Sequence, residues 1–173
     1  MIYGLTPLGI VHTVISLVAV VAGLIALVRY KEIAFATRTG RVYVVATMLT
    51  CLTGFGIFQH GGFGKPHVLG VVTLVVLGVA MLAGRSGFGR LSPYVAVVAY
   101  SLTFFFHMIP GVTETATRLP LGAPLVADRD ASPALQGTIG ALFIVFLIGA
   151  TVQVLRVRAT RQRGALDGLR LLG

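Results

Sequence analysis

Gln59-His60-Gly61-Gly62-Phe63-Gly64-Lys65-Pro66-His67 is a tight, glycine-rich connection with a histidine close to each end. Apolar sequence flanks it on both sides, over residues 42–59 and again from 67 to 84. A run of roughly 20 apolar residues is long enough to cross about 30 Å of hydrocarbon as a helix. Two such runs joined by so short a turn read as a pair of membrane-spanning helices.

The rest of the chain repeats the pattern. Of 173 residues, 56% are hydrophobic and 11% charged, with a mean hydropathy of +0.94. A soluble domain carries about 25% charged residues. The sequence therefore predicts an all-α integral membrane protein of five transmembrane helices, over residues 7–28, 42–59, 67–84, 93–109 and 133–155. Four of them form a bundle and the fifth packs beside it. Residues 1–155 make up this one domain, and 156–173 a basic cytoplasmic tail against the anionic inner leaflet. Alternating strand patterns are absent, which excludes a β-barrel. A cleaved signal peptide is not expected, since the N-terminus has no basic leader and the first apolar run is of spanning length.

The starts of the spans are marked by local chemistry. Thr6-Pro7, Ser92-Pro93 and Ser132-Pro133 each place a hydroxyl cap before a proline at the first helical position, and Lys65-Pro66 opens the third span similarly. Pro110-Gly111 is expected to close the fourth. Basic residues set the orientation. Arg29, Lys31, Arg38, Arg41, Arg85, Arg90, Arg156, Arg158, Arg161, Arg163 and Arg170 fall on one side, and only Lys65, Arg118 and Arg129 on the other. By the positive-inside rule the N-terminus is outside and the C-terminus inside, as expected for the cell inner (cytoplasmic) membrane. The formal net charge of +9 is then a topology and lipid signal, and no nucleic-acid partner is expected. The connection 110–132 faces outward and holds Glu114, Asp128 and Asp130, as a cap over the bundle, a docking surface or a solvated connector.

In this topology the chain's four histidines lie toward one face. His12 is about one and a half turns inside span one, His60 ends span two, His67 begins span three, and His107 is less than a turn before Pro110. Stepping back at helical spacing from each gives small or hydroxyl residues: Ser16, Ala19 and Gly23; Gly56, Thr53, Thr50 and Ala46; Gly70 and Thr73; Thr103, Tyr100 and Ala96. Helices pack through small residues in lipid and turn polar groups toward one another, so these read as inward faces. Span five carries Gly137, Gly140, Ala141 and Gly149 and no histidine.

Three chemistries suit a histidine ring. One is haem b held by two imidazoles, His12 and His107 being the deeper pair, with His60 and His67 as alternative ligands. Phe55, Phe58, Phe63, Tyr100 and Phe104–Phe106 supply aromatic walls, which also serve as ordinary packing. Another is a Zn or Cu ion on His12, His60, His67 and His107. A third is proton relay or hydrogen bonding to quinone. Histidines that only bond helix to helix, in a cofactor-free accessory or assembly subunit, are the alternative of another class. No acid lies inside any expected span, which disfavours a carboxylate-bridged di-iron site and a Ser-His-Asp hydrolase. Cys51, the only cysteine, excludes an internal disulfide and reads as a small buried hydrophobe. The first-ranked expectation is a small redox protein that binds haem near the outer face. It would exchange electrons with quinol or an outer-face redox protein, alone, as a homo-oligomer or within a larger complex.

Arg38-Thr39-Gly40-Arg41-Val42-Tyr43 follows a histidine-bearing first helix. His12 together with Arg38, Gly40, Arg41 and Tyr43 resembles a family of uncharacterised bacterial multi-pass membrane proteins. More loosely, the histidine-bearing spans resemble small membrane b-type cytochromes. That resemblance implies a haem at the outer side only, since this chain has one histidine per helix. Read physically, Arg38 and Arg41 share a helical face at the inner interface with Tyr43 at headgroup depth. Such a group makes an interfacial anchor or a site for a lipid phosphate or acidic loop.

Overall fold

The structure is a computed structural model. It describes residues 6–58, 62–120, 123–126 and 132–170, without the side chains of 166 and 168–170. It is all-helical, with no strand among the described residues. The helices are α1 (Pro7–Tyr30), α2 (Arg38–Gly54), α3 (Lys65–Gly84), α4 (Ser92–Arg118) and α5 (Pro133–Arg170), with a 3₁₀ turn at Gly89–Leu91. Four segments, Pro7–Tyr30, Lys65–Gly84, Gly89–Arg118 and Pro133–Ala165, are long and apolar enough to cross a membrane. The chain is therefore read as a multi-pass membrane protein. At 17 residues α2 is shorter, about 25 Å long.

Two of the expected caps form as their chemistry dictates. Thr6 Oγ1 accepts from Gly9 N–H at 3.1 Å, and Ser132 Oγ from Leu135 N–H at 3.3 Å. Ser92 behaves differently. It lies inside α4, and its hydroxyl reaches back to accept from Phe88 N–H at 2.9 Å. The unforeseen cap is Thr37, which accepts from Gly40 N–H at 3.0 Å and starts α2 four residues before the expected position.

Two expected helix ends are corrected. Pro110 does not close the fourth helix, which continues to Arg118 with Pro110 inside it. Proline removes one backbone bond, a loss that is tolerated where neighbouring groups take up freed carbonyls. Beyond it Thr113, Thr115 and Thr117 each donate a hydroxyl to the carbonyl four residues back, at 2.7–2.8 Å. Glu114, expected in a loop, is thus a helical residue and pairs with Arg118 one turn on. Likewise α5 does not stop at the expected end, residue 155, but runs on to Arg170.

Packing is inverted relative to a protein in water. The core is built from small residues, Ala19, Ala22, Ala26, Ala46, Ala80 and Ala99, around Tyr43, Tyr100, Val44 and Leu77. The large aliphatics face out: Val14, Leu17, Val21, Leu24 and Val28 on α1, and Ile144, Val145, Ile148 and Val152 on α5, are all exposed. Large exposed apolar surfaces are unstable in water but are the normal boundary with lipid, where helices approach through small residues. Of the inward faces read from the histidine spacing, Ala19, Gly23, Ala46, Thr50, Thr73, Tyr100 and Thr103 are buried, Ser16, Thr53, Gly70 and Ala96 are half-buried, and Gly56 is exposed. Sequential helices pack side by side, α1 also meets α4, and α5 packs chiefly against α4.

One end of the bundle collects the arginines. Gln153 of α5 accepts from Ser101 Oγ at 2.7 Å and donates through Nε2 to the Lys31 carbonyl at 2.9 Å. Arg161 donates to the Arg90 carbonyl and stands over the Tyr94 ring at 5.8 Å. These contacts bring the end of α1, the start of α4 and the second half of α5 together.

Within the Arg38–Tyr43 stretch Gly40 and Tyr43 are buried, whereas Arg38, Arg41 and Val42 are exposed. Tyr43 is fully buried, its ring packed in the core between the helices. A Cβ on Gly40 would lie 1.9 Å from the Ala34 carbonyl oxygen, a backbone atom that cannot step aside alone. Gly40→Ala is therefore expected to cost at least about 2 kcal/mol in reversible unfolding from mixed micelles. Gly78→Ala, where an added Cβ meets nothing within 4 Å, should be neutral or slightly stabilising.

Candidate functional site

Three of the four histidines are described; His60 lies outside the described residues, together with Gln59 and Gly61. His12 and His107 both reach toward α2, from α1 and α4 respectively. His67 is held at the start of α3 instead. Among the described residues, no three His, Cys, Asp or Glu side chains gather as a metal-binding group.

The protonated nitrogen of each ring follows from its partner. His12 Nδ1 is 3.1 Å from Thr53 Oγ1. That hydroxyl has one proton, which is directed to the carbonyl of Leu49 at 2.8 Å or of Thr50 at 3.1 Å. With that proton kept on its own helix, Thr53 accepts and His12 donates from Nδ1. Nε2 of His12 keeps its lone pair. Gly54 permits this approach, since a Cβ there would come within 3.2 Å of the imidazole. Glu114 also acts on His12 electrostatically, a carboxylate that α4 supplies only because the helix passes Pro110.

His107 is buried deeper, with Nε2 at 3.0 Å from Thr47 Oγ1. The Tyr43 ring meets it edge-on at 6.0 Å, and Thr47 is within hydrogen-bonding reach of the Tyr43 hydroxyl too. Tyr43 Oη is 2.8 Å from Thr103 Oγ1, whose own proton goes to the Tyr100 carbonyl at 2.8 Å. Tyr43 therefore donates to Thr103. The series His107–Thr47–Tyr43–Thr103 ends on a backbone carbonyl, which has no proton to pass on. Its chemistry suits a brace between α2 and α4 better than a proton relay.

His67 closes a capping box: Gly64 N–H donates to its Nδ1 at 3.2 Å. Phe58 stacks on the ring with centroids 5.1 Å apart, and Phe63 lies 5.2 Å away. The aromatic run at 104–106 is divided among three surroundings. Phe104 abuts Gly23 and Tyr43, Phe105 packs on Phe143 and Phe146 of α5, and Phe106 borders a groove on α3. It does not form one flat wall.

Thr47 was absent from the expected polar face, although Tyr43, Thr47, Thr50 and Gly54 recur at helical spacing and mark it. Gln153 and Glu114 had weaker signals, a lone amide in an apolar run and an acid after a proline. No protein-family model, curated protein or solved structure matches this chain.

The clasp makes a quantitative demand. Thr47→Val keeps the shape and deletes the hydroxyl, and His107→Phe keeps a ring. A double-mutant cycle on unfolding free energy should return a coupling of about 0.5–1.5 kcal/mol. The cross pair Thr47→Val with His12→Ala should be closer to additive.

Proposed function

We propose that this chain is a structural subunit of a membrane assembly, a bundle of five spans locked by histidine–threonine bonds and offering α5 to a partner helix. The observation that carries this reading is the use of the rings. His107 and His12 bridge to hydroxyls of α2, and His67 caps α3. Each ring makes one such bond within the bundle. α2 counts as a span in this reading, extended at its end by the turns at 55–58. The arginine-bearing end faces the cytoplasm and the N-terminus faces out, as the positive-inside rule requires of an inner-membrane protein.

The partner surface is the far side of α5. Leu135, Ala150 and Gln153 are buried on the side toward α4. Gly137, Gly140 and Ala141 lie on the opposite side, and a Cβ added at either glycine meets nothing within 4 Å. Small residues four apart let a second transmembrane helix approach closely, whether from another copy or another protein.

A specific observation favours a second reading. His12 keeps an Nε2 lone pair with Nδ1–H anchored, the arrangement of an axial haem ligand or a Zn or Cu ligand. In that reading haem b binds near the outer face and passes electrons to or from quinol or an outer-face partner. His107 would have to give up Thr47 or ligate through Nδ1.

One sample separates the two. Detergent-purified protein from haem-replete cells should be colourless and free of stoichiometric Zn or Cu under the structural reading. A Soret band lost in His12→Ala selects the haem. A photo-reactive residue at Ile144 should give a discrete cross-linked band that disappears when Gly137 and Ala141 are both changed to Ile, whereas one at Val14 should label lipid. No band from Ile144 removes the structural reading.

A further inference from the structure

Two buried polar atoms among the described residues have no hydrogen-bond partner, His67 Nε2 and Tyr100 Oη. Tyr100 lies within the alanine-rich core. His67 stands at the margin of the bundle, and its surroundings define what it lacks. Because Gly64 N–H donates to Nδ1, the lone pair is on Nδ1 and the ring proton on Nε2. His67 is 6% exposed, so this N–H is a donor withdrawn from water and left without an acceptor. Leaving such a group unsatisfied is costly, and an acceptor of the right kind would recover that cost.

An opening lies beside it. Phe63, Lys65, Val68, Leu69, Val72 and Phe106 line an open groove of about 530 Å³ whose surface is mostly apolar. Phe63 has one role in each place, packing on the His67 ring and forming a wall of the groove. At 69% exposure its side chain has room to turn. We propose that the groove and His67 form a single binding site for a lipid-soluble molecule bearing a carbonyl oxygen. Phe63 swings aside and the oxygen accepts from Nε2–H. A donor calls for an acceptor, which excludes a cation. Walls that are apolar apart from Lys65 call for an apolar body. A quinone satisfies both, and its flat ring can stack against Phe58 and Phe63. The ester carbonyl of a phospholipid offers the same oxygen. The site goes beyond the structural reading and does not depend on it.

The test uses full-length protein carrying ¹⁵N-histidine in nanodiscs of diether lipid, which has no carbonyl. The His67 signal is assigned by its loss in His67→Gln. Decylubiquinone should move the Nε2 proton downfield and protect it from exchange, saturably, and decylbenzene should not. Val72→Trp fills the groove and should raise the half-saturating concentration by at least about tenfold. Leu69→Phe, one turn away, serves the same purpose if that variant does not fold. In diester-lipid nanodiscs without quinone, the same downfield signal assigns the oxygen to the lipid, and its absence there assigns it to the quinone. The proposal is overturned if neither carbonyl source moves the signal, if decylbenzene moves it equally, or if filling the groove changes nothing.

Discussion

Gly23 is the point at which three helices depend on one missing atom. A Cβ there would sit 2.6 Å from Phe104 of α4 and 2.9 Å from Tyr43 of α2. Those rings can lie against the α1 backbone only because the position is glycine. Their placement in turn sets Tyr43 across from Thr103, and Tyr43 sets the edge against which His107 packs. Close backbone approach therefore comes first here, and the polar bonds follow from it. Between helices in lipid this order is physically reasonable, since no water is expelled from apolar surface and contact itself supplies the association energy.

The polar seam that results has a definite direction. Thr103 and Thr53 each spend their proton on a carbonyl of their own helix, so each can only accept from the neighbour facing it. Threonine in a membrane helix commonly makes this back-bond, and here it decides the protonation of rings one helix away. His12 is left with a lone pair on Nε2, and His67, through its backbone cap, with a proton on Nε2. Two histidines of the same chain thus offer opposite chemistry to anything that reaches them. A single ligand type cannot use both in the forms seen here, which weakens the notion of a uniform histidine ring.

Much of the architecture is legible in the amino-acid order. Span-length apolar runs, Thr6-Pro7 and Ser132-Pro133 declare where helices start, because these signals are local. The inward faces are legible as well, since one face of a helix carries Ala19 and Gly23 or Thr103 and Tyr100 at regular spacing. The ends are less so. Pro110 is a strong breaker in an isolated helix, but α4 passes it. Ser92 has the chemistry of a cap, yet serves the turn before it. In both cases groups about one helical turn away set the outcome, the Phe88 N–H for Ser92 and the back-bonding threonines that follow Pro110.

The candidate site marks the same division more sharply. The sequence by itself determined that the chain is helical and membrane-bound, that its basic residues collect toward one end, and that its histidines lie on small-residue faces. Only the tertiary structure decided that His107 meets Thr47, that His12 meets Thr53, that Tyr43 is core, and that His67 keeps an unmet donor beside a groove. Helical periodicity reports the direction a side chain takes from its own axis. Which group it meets depends on the rotation and depth of a second helix, and those are set by packing summed over the whole interface.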